Sequence, residues 1–304
     1  MSRKKTCNMY IHDVMKDEIR SGFLVTTDRK KIWEKELEML DKFAEVCARH
    51  GWQWWAAYGT LLGAARHQGF IPWDDDIDVY MTRPAYQELQ QAADEFEEPF
   101  VLQTAYNDAY IYAFTKIRNR ETMAIEHRDK PQYNQGLFID IFPLDAVPDG
   151  GSEEQQLVLE IEKELWMLTV QADDFLRACA EGRYVPRMPK NEIEMVARMP
   201  KRQRFSIYEE MAAASWGSTK MVNELITELQ QRKGRFPIAL LDETIDLPFE
   251  SMRVKAFRNY YAVLESYYGD WHKLVRGTSY HEGMLMSADI SYTEYFCQIR
   301  PMEP

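Results

Sequence analysis

The sequence predicts a mixed α/β (α+β) fold with a strand-rich first half and a mainly helical second half. Short apolar segments alternate with helix-spaced segments in the first half, and long helical patterns follow the turn Asp149-Gly150-Gly151. An apolar content of 45% and a charged content of 28% are typical of a folded globular protein. We therefore expect a core over residues 1–150, in which 1–27 form an N-terminal arm, and a helical region over 151–304 that packs on it.

The elements of the first half are short and closely spaced. Asp28 is the expected N-cap of the first helix and Gly51 is its stop. Gly59-Thr60 breaks the strand that follows, Pro84 suits the first turn of a later helix, and Pro143 is expected to close the last strand. In chain order, the sequence predicts a helix over 28–50, a strand over 52–58, a helix over 61–67, a strand over 77–81, a helix over 85–95, and strands over 100–103, 110–118 and 136–144.

The second half is predicted to be built from long helices. Ser152 can cap a helix that extends to about residue 180, and further helices are expected over 206–233 and 250–268. A basic run over 183–204 carries seven Arg or Lys residues against two Glu. It is either a solvated surface connection or a contact for an anionic acceptor or a membrane surface.

Charge and cysteine usage exclude several classes of protein. The formal charge of −12 argues against a nucleic-acid-binding protein, which would carry a basic surface. The four cysteines form no CxxC pair, so neither a zinc site nor a disulfide framework is expected. The first residues lack the apolar region of a secretory signal, and no stretch of 18 uninterrupted apolar residues occurs. We expect a cytoplasmic protein with at most peripheral contact with the inner face of the membrane.

The stretch over 58–81 carries the chemistry and reads YGTLLGAARHQGFIPWDDDIDVYM. Its acidic residues lie so close together that they repel one another unless a cation lies between them: Asp74, Asp75, Asp76 and Asp78. On a strand, Asp76 and Asp78 would face the same way with Asp74, while Asp75 and Ile77 would face away. Such carboxylates can hold Mg²⁺, with Mn²⁺ as an alternative, and two such ions can stabilise an in-line phosphoryl displacement.

Two other interpretations of the acidic cluster are weaker. An EF-hand loop would have Asp74, Asp76 and Asp78 at its positions 1, 3 and 5. It fails because Val79 replaces the required glycine and Ala85 replaces the required glutamate. A purely structural acidic loop stays open as the second alternative.

Several polar residues are candidates to complete the site. Gly59-Thr60, between a strand and a short helix, offers free N–H groups and a hydroxyl to a phosphate. Asp140 interrupts an apolar strand, where a charge is costly unless a metal or a structural partner compensates it. The candidate phosphate contacts are Arg66, His67, Lys116 and Arg118, of which His67 is the weakest candidate. Each of them could equally be a solvated charge or a charge on an edge strand.

The stretch over 58–81 resembles the signature of the LicD family, and the later FIDIFPLDAVP resembles that family's second block. Lys116-Ile117-Arg118 and the segments LPFESM and YYGDW resemble weaker landmarks of the family, so that the resemblance covers about 35–275. It implies a nucleotidyltransferase-like fold, which is a small mixed sheet flanked by helices. The segment over 181–204 and the tail VRGTSYHEG match nothing in the family.

The resemblance also implies an activity and roles for the residues. Members of the family transfer a phosphorylated alcohol from a CDP-alcohol donor to a hydroxyl of a glycan or glycolipid acceptor. Bacterial members transfer phosphocholine to cell-surface glycans such as lipopolysaccharide or teichoic acid, and the fukutin-like animal relatives transfer ribitol phosphate. Gly59 and Thr60 match the phosphate turn of the family, and Asp76 and Asp78 match its metal-binding Asp-x-Asp. Asp74 matches the acidic position before that motif, and Asp140 matches the third carboxylate. This third carboxylate either completes the metal shell or takes the hydroxyl proton.

Phosphocholine is the expected group, transferred from CDP-choline to the acceptor while CMP is released. Aromatic rings near the site could hold its trimethylammonium group by cation–π attraction: Trp52, Trp54, Trp55, Tyr58 and Trp73. Trp52 and Trp54 could instead be core-facing strand residues. The rival functions are transfer of a nucleoside monophosphate, transfer of ribitol or glycerol phosphate, and non-catalytic binding of a glycan or nucleotide.

Overall fold

In a computed structural model, the chain folds around a mixed sheet that is flanked by helices, as predicted. The structure describes residues 16–108, 111–150, 152–231, 233–277, 281 and 283–299. The strands are β1 (Glu18–Arg20), β2 (Phe23–Val25), β3 (Trp54–Ala56), β4 (Asp78–Thr82), β5 (Phe100–Gln103), β6 (Thr115–Asn119), β7 (Met123–Ile125), β8 (Leu137–Val147), β9 (Met221–Glu224), β10 (Phe236–Pro237), β11 (Thr244–Phe249), β12 (Met252–Phe257) and β13 (Leu285–Ser287). The helices are α1 (Thr27–His50), α2 (Tyr58–His67), α3 (Arg83–Gln91), α4 (Glu153–Ala180), α5 (Lys190–Ala197), α6 (Lys201–Ser215), α7 (Leu225–Gln231), α8 (Tyr260–Tyr268) and α9 (Tyr292–Ile299).

Strand β8 is the centre of the main sheet. One edge of β8 pairs in parallel with β4, which in turn pairs antiparallel with β3. Along its other edge, β8 pairs first with β6 and then with β9, both antiparallel. Strands β5 and β10 extend the sheet beyond β6 and β9. The chain thus brings residues from both halves of the sequence into one sheet.

Pro143 does not close strand β8, which was the expectation, because the strand continues to Val147. The Asp140 N–H donates to Ile77 O, so that Asp140 turns its backbone groups toward β4. Backbone groups alternate sides along a strand, and Pro143 therefore faces the other edge. There it lies between the last partner of β6, Ile141, and the first partner of β9, Leu144, so that the N–H that proline lacks is not needed.

Two helix starts differ from the prediction by a few residues. Helix α1 begins one residue earlier than expected, and its N-cap is Thr26, whose side chain accepts a hydrogen bond from the Arg29 N–H, rather than Asp28. Gly51 ends it in the left-handed conformation as predicted. Helix α2 begins at Tyr58, so that Gly59-Thr60 lies in its first turn and not in a break before it.

Some predicted elements are wrong. The strand expected over 110–118 is confined to Thr115–Asn119, and Tyr110 lies outside the described residues. The helix expected over 206–233 is two helices, α6 and α7, separated by strand β9. The segment over 250–268 begins with the turn and second strand of the hairpin β11–β12, and it is helical only in α8. By contrast, helix α4 begins at the predicted Ser152 cap, which accepts a hydrogen bond from the Gln155 N–H, and it ends at Ala180.

The apolar residues form two hydrophobic cores. The larger one fills the space between the main sheet and helices α1, α2, α3 and α8, and the smaller one lies among α4, α5, α6 and α7. Arg83 lies fully buried near the junction and binds Asp145 through two hydrogen bonds of 2.6 and 2.7 Å. No helix of the described residues has both the length and the apolar character needed to cross a bilayer.

Candidate active site

Three charged side chains form a row across the main sheet. Asp78 on β4 is the register partner of Asp140 on β8, and Asp140 is in turn the partner of Lys116 on β6. All three are buried. Register partners on neighbouring strands project from the same face of a sheet, so the row collects two carboxylates and one ammonium group at one place. Of the sequence-predicted residues, the structure brings these three together most directly.

The first turn of helix α2 is tied to the start of β4. Thr60 Oγ1 accepts a hydrogen bond of 2.8 Å from the Asp78 N–H, and the Ala57 N–H donates to Asp78 O at 2.9 Å. The Thr60 hydroxyl therefore positions Asp78, a role that its sequence assignment as a phosphate ligand did not include. Because the Thr60 hydroxyl keeps its own hydrogen, it can still donate to a further acceptor.

Gly59 lies next to the carboxylate of Asp74. A Cβ on Gly59 would overlap Asp74 Oδ2, so that any other residue here would displace this carboxylate. The backbone of Asp74 is fixed by helix α1, since Arg29 Nη1 and Trp33 Nε1 both donate to Asp74 O, at 2.6 and 3.1 Å. The predicted glycine turn and the first acidic residue are thus in contact.

The expected alternation of residues 74–77 is wrong, because strand β4 begins only at Asp78. Asp75 does not face away from Asp76. Both reach the same imidazole, with His281 Nδ1 lying 3.2 Å from Asp75 Oδ1 and 3.6 Å from Asp76 Oδ2. Sequence reasoning missed His281, which lies more than 200 residues away, in the tail that matched nothing. Nothing in its spacing relates it to the acidic cluster.

Burial and mutual repulsion raise the pKa values of the carboxylates of the site. Burial raises the pKa of Asp78, and the nearby charges of Asp76 and Asp140 add to the rise. Burial and then the charge of Asp75 raise the pKa of Asp74 to about 6. Burial likewise raises the pKa of Asp140, although Lys116 opposes it. Such a concentration of negative charge is stable when a cation compensates it.

Glu36 is a further carboxyl group beside the acidic cluster that the sequence analysis did not single out. It lies on α1 and is inaccessible to solvent, and neither of its oxygens has a hydrogen-bond partner among the described residues. Burial raises the pKa of Glu36 well above its usual range, and the charges of Asp76, Asp75 and Asp74 contribute, in that order. Its position on a helix whose inward-facing residues are apolar apart from Lys30 was the signal that could have identified it.

The residues present fit a divalent cation. Asp140 is buried, and its Oδ1 lies 2.8 Å from Lys116 Nζ, an ion pair that leaves the carboxylate with further lone pairs for a metal. Asp76 and Asp78 offer further carboxylate oxygens close to it, as their mutual influence on pKa indicates. Hard oxygen ligands of this kind are those that Mg²⁺ and Mn²⁺ prefer.

Lys116 and Arg118 belong to a buried ion network and not to an open phosphate surface. Lys116 Nζ lies 2.8 Å from Asp140 Oδ1 and 3.6 Å from Glu126 Oε1. Arg118 pairs with Glu126 and donates to Gln103 Oε1 at 2.5 Å and to Gly136 O at 2.8 Å. Burial acts to raise the pKa of Glu126, but the charges of Lys116 and Arg118 outweigh burial and lower this pKa to about 2. Arg118 therefore supports Glu126, and Lys116 supports Asp140.

Arg66 and His67 lie at the opposite end of helix α2 from Thr60. Six residues separate Thr60 from Arg66, which is about 9 Å along a helix. Arg66 Nη1 donates to the carbonyl oxygens of Trp271 and Lys273, both at 3.2 Å. Burial and the charge of Arg66 lower the pKa of His67. Neither side chain makes a described contact with the acidic cluster.

The tryptophans expected near the site have other roles. Trp54 and Trp55 are buried in the larger core, and Trp55 stacks on Phe257. Trp52 stacks on His50 at 4.1 Å and donates to Glu88. Trp73 lies edge-on to Phe23. Of the five predicted aromatic residues, Tyr58 is the one placed beside the row of Asp78 and Asp140. It contacts Tyr80, which lies two residues after Asp78 on β4.

Comparison with known proteins identifies the first part of the chain. Residues 51–175 match the LicD/FKTN/FKRP nucleotidyltransferase-domain family. The chain is 26% identical over 256 residues to the lipopolysaccharide cholinephosphotransferase LicD of Haemophilus influenzae, a match that covers 78% of this chain and 89% of that protein. An uncharacterized protein of Rickettsia prowazekii is 32% identical over 106 residues, which is 34% of this chain and 37% of that protein. The resemblance inferred from the sequence motifs is thereby confirmed.

Proposed function

We propose that this protein, whose residues 51–175 match the LicD/FKTN/FKRP nucleotidyltransferase-domain family, transfers phosphocholine from CDP-choline to a hydroxyl of a cell-surface glycan or glycan precursor and releases CMP. The observation that carries the proposal is the placement of Asp78 and Asp140 as partners on adjacent strands, beside Asp74 and Asp76. The cholinephosphotransferase that aligns over most of its length with this chain supports the choice of phosphocholine.

A divalent cation, Mg²⁺ with Mn²⁺ as the alternative, is part of this proposal. Asp76, Asp78 and Asp140 would hold it, with assistance from Asp74. When bound, it supplies positive charge that stabilises the phosphate oxygens during transfer. The crowding of buried carboxylates, whose charges raise one another's pKa, supports this assignment.

The residues of the chain position the reactants. In the proposed reaction, an acceptor hydroxyl oxygen forms a bond to the phosphorus that carries choline, and the bond from that phosphorus to the oxygen shared with CMP breaks. The first turn of α2, with Gly59 and Thr60, offers N–H groups and the positive end of the helix dipole to the donor phosphates. Asp140 is the candidate to accept the hydroxyl proton, and Lys116 holds its carboxylate in place.

The acceptor and the location are further parts of the proposal. The aligned cholinephosphotransferase acts on lipopolysaccharide, and we propose a related glycan or glycolipid as the acceptor. We place the reaction in the cytoplasm, with at most peripheral contact with the inner face of the membrane.

A donor panel tests the function. Release of CMP is measured from CDP-choline, CDP-ribitol and CDP-glycerol in the presence of Mg²⁺, with and without a lipopolysaccharide acceptor. We expect acceptor-dependent release from CDP-choline that EDTA abolishes, and a product whose mass increases by phosphocholine. Release from CDP-ribitol or CDP-glycerol alone would contradict the choline assignment, and a product carrying a nucleotide would show nucleotidyl transfer instead.

A further inference from the structure

An aromatic row lies next to the charged row of the site. Side chains two residues apart on a strand share a face and are about 7 Å apart. Phe142 therefore follows Asp140 along β8, and Tyr80 follows Asp78 along β4, with Tyr80 and Phe142 as register partners. The face that bears the acidic residues thus continues directly into aromatic side chains.

Two further rings complete this surface. Phe114, just before β6, packs against Phe142 with 4.5 Å between ring centroids. Tyr58, the first residue of α2, meets Phe142 edge-on at 5.4 Å. We call Tyr58, Phe114 and Phe142 the aromatic wall. All three are only half-buried, and Phe114 belongs to neither hydrophobic core. The wall reaches from the phosphate turn at Gly59 to the neighbourhood of Lys116.

The same part of the molecule already holds a cation against aromatic rings. Lys116 Nζ lies 5.2 Å from the ring centroid of Phe114 and 5.0 Å from that of Tyr112. Asp140 and Glu126 balance the charge of Lys116, so that it does not repel a second cation strongly. A quaternary ammonium group cannot donate hydrogen bonds, and the faces of aromatic rings are its natural partners.

We propose that the aromatic wall binds the trimethylammonium group of the donor's choline. This inference rests on the proposed function. In phosphocholine, two carbons separate the ester oxygen from the nitrogen. A phosphate bound at the cation that Asp78 and Asp140 would hold therefore places the ammonium group one side-chain row away. That is where the wall lies. The wall, and not the tryptophans near the site, is then the element that selects choline.

Binding measurements with Phe142→Leu test the inference. Isothermal titration in the presence of Mg²⁺ compares CDP-choline with CDP-glycerol, which has no cation. We expect the variant to bind CDP-choline ~3- to 30-fold more weakly, which is the range of one cation–π contact, and to bind CDP-glycerol as the wild type does. Trp52→Leu, which removes an aromatic ring remote from the wall, should change neither affinity.

A second variant keeps the test independent of folding. Phe114→Leu should give the same selective loss, and the melting temperature of each variant shows whether it folds. If the wild type turns over CDP-choline but both variants bind it unchanged, or lose both ligands equally, the aromatic wall is not the choline site. If the wild type neither binds nor cleaves CDP-choline, the proposed function itself fails, and the inference fails with it.

Discussion

Asp78 and Asp140 are direct register partners on neighbouring parallel strands, so that two buried carboxylates lie side by side at the centre of the main sheet. Of these two carboxylates, Asp140 is the one that forms an ion pair with Lys116. The remaining repulsion adds to burial in raising the pKa of Asp78. A fold that retains this arrangement gives up stability in the absence of a cation, in return for a site that binds one.

Replacing Asp78 should make the metal-free protein more stable but less active. Asp78→Asn removes one buried charge with little change in shape, so that we expect the metal-free protein to become about 1–2 kcal/mol more stable. The variant should lose the rise in melting temperature that Mg²⁺ causes in the wild type, because that rise comes from binding to the folded state. Its rate of CMP release should fall ~100-fold or more. Thermal melts with Mg²⁺ or EDTA, together with the release assay, measure these effects.

Asp246→Asn is the matched control. Asp246 is an exposed carboxylate on β11 that pairs with Lys255. Its replacement should change neither the Mg²⁺-dependent melting shift nor CMP release, since surface pairs contribute little. If Asp78→Asn kept a wild-type response to Mg²⁺, Asp78 would not be a metal ligand.

Replacing two glycines of helix α2 with alanine should affect different properties, activity at Gly59 and stability at Gly63. A Cβ on Gly59 would overlap only the carboxylate of Asp74, which can swing aside, whereas a Cβ on Gly63 would overlap the backbone carbonyl oxygen of Gly69. Gly59→Ala should therefore keep its stability but release CMP at least ~10-fold more slowly, because Asp74 is displaced. Gly63→Ala should lose about 1–3 kcal/mol of stability. Urea denaturation and the release assay distinguish the two, and a wild-type rate for Gly59→Ala would contradict the importance of this contact.

The sequence identified the carboxylates of the site but not all of their neighbours. Asp78 and Asp140 could be predicted because a charge within an apolar strand is unusual and its face follows from alternation. Alternation could not place Asp75 and Asp76, since the chain there is not yet in a strand. His281 could not be found at all, because its contact with Asp75 depends on how distant parts of the chain pack.

The sequence also did not predict the partners of the basic residues Lys116, Arg118 and Arg66. Spacing placed Lys116 and Arg118 on one face of a strand, as observed, but it could not show that Glu126 pairs with both. Arg66 follows the glycine turn closely in sequence, yet the helix between them carries it away from the acidic cluster to the carbonyl of Trp271. Local pattern predicts the face a residue occupies, and only the tertiary structure decides its partner.

Lys116 should be a structural support of Asp140 as much as a part of the active site. Lys116→Met leaves the buried Asp140 without its cation, so that we expect a loss of about 3 kcal/mol of stability in metal-free protein. Adding Asp140→Asn to the same chain should restore most of that loss, because the unpaired charge is then removed. Urea denaturation of the two variants measures both effects. A stability equal to the wild type for Lys116→Met, with only the KM for donor raised, would favour a phosphate contact instead.

Glu162 makes the stability of the helical region depend on pH. Burial and then the charge of Asp145 raise the pKa of Glu162 to about 8 in the folded protein, while its ordinary value is 4.5. Between these values, the unfolded state has lost a proton that the folded state keeps, so that stability falls as pH rises and levels off above about 8. Glu162→Gln keeps the shape and the contact with Ser215 but removes the titration. The variant should therefore gain about 4 kcal/mol relative to wild type between pH 5 and pH 9.

The difference between the two proteins is the quantity to measure, because titrations elsewhere in the chain affect both equally. Urea denaturation at pH 5 should give similar free energies of unfolding for wild type and Glu162→Gln, since the Glu162 carboxyl of the folded wild type is neutral there, as the amide of the variant is. At pH 9, the wild type must either bury a charge beside Asp145 or unfold more readily. Glu154→Gln, which changes an exposed carboxylate on the same helix, should give no pH-dependent difference. A constant difference between Glu162→Gln and wild type across this range would mean that Glu162 is charged in the folded protein.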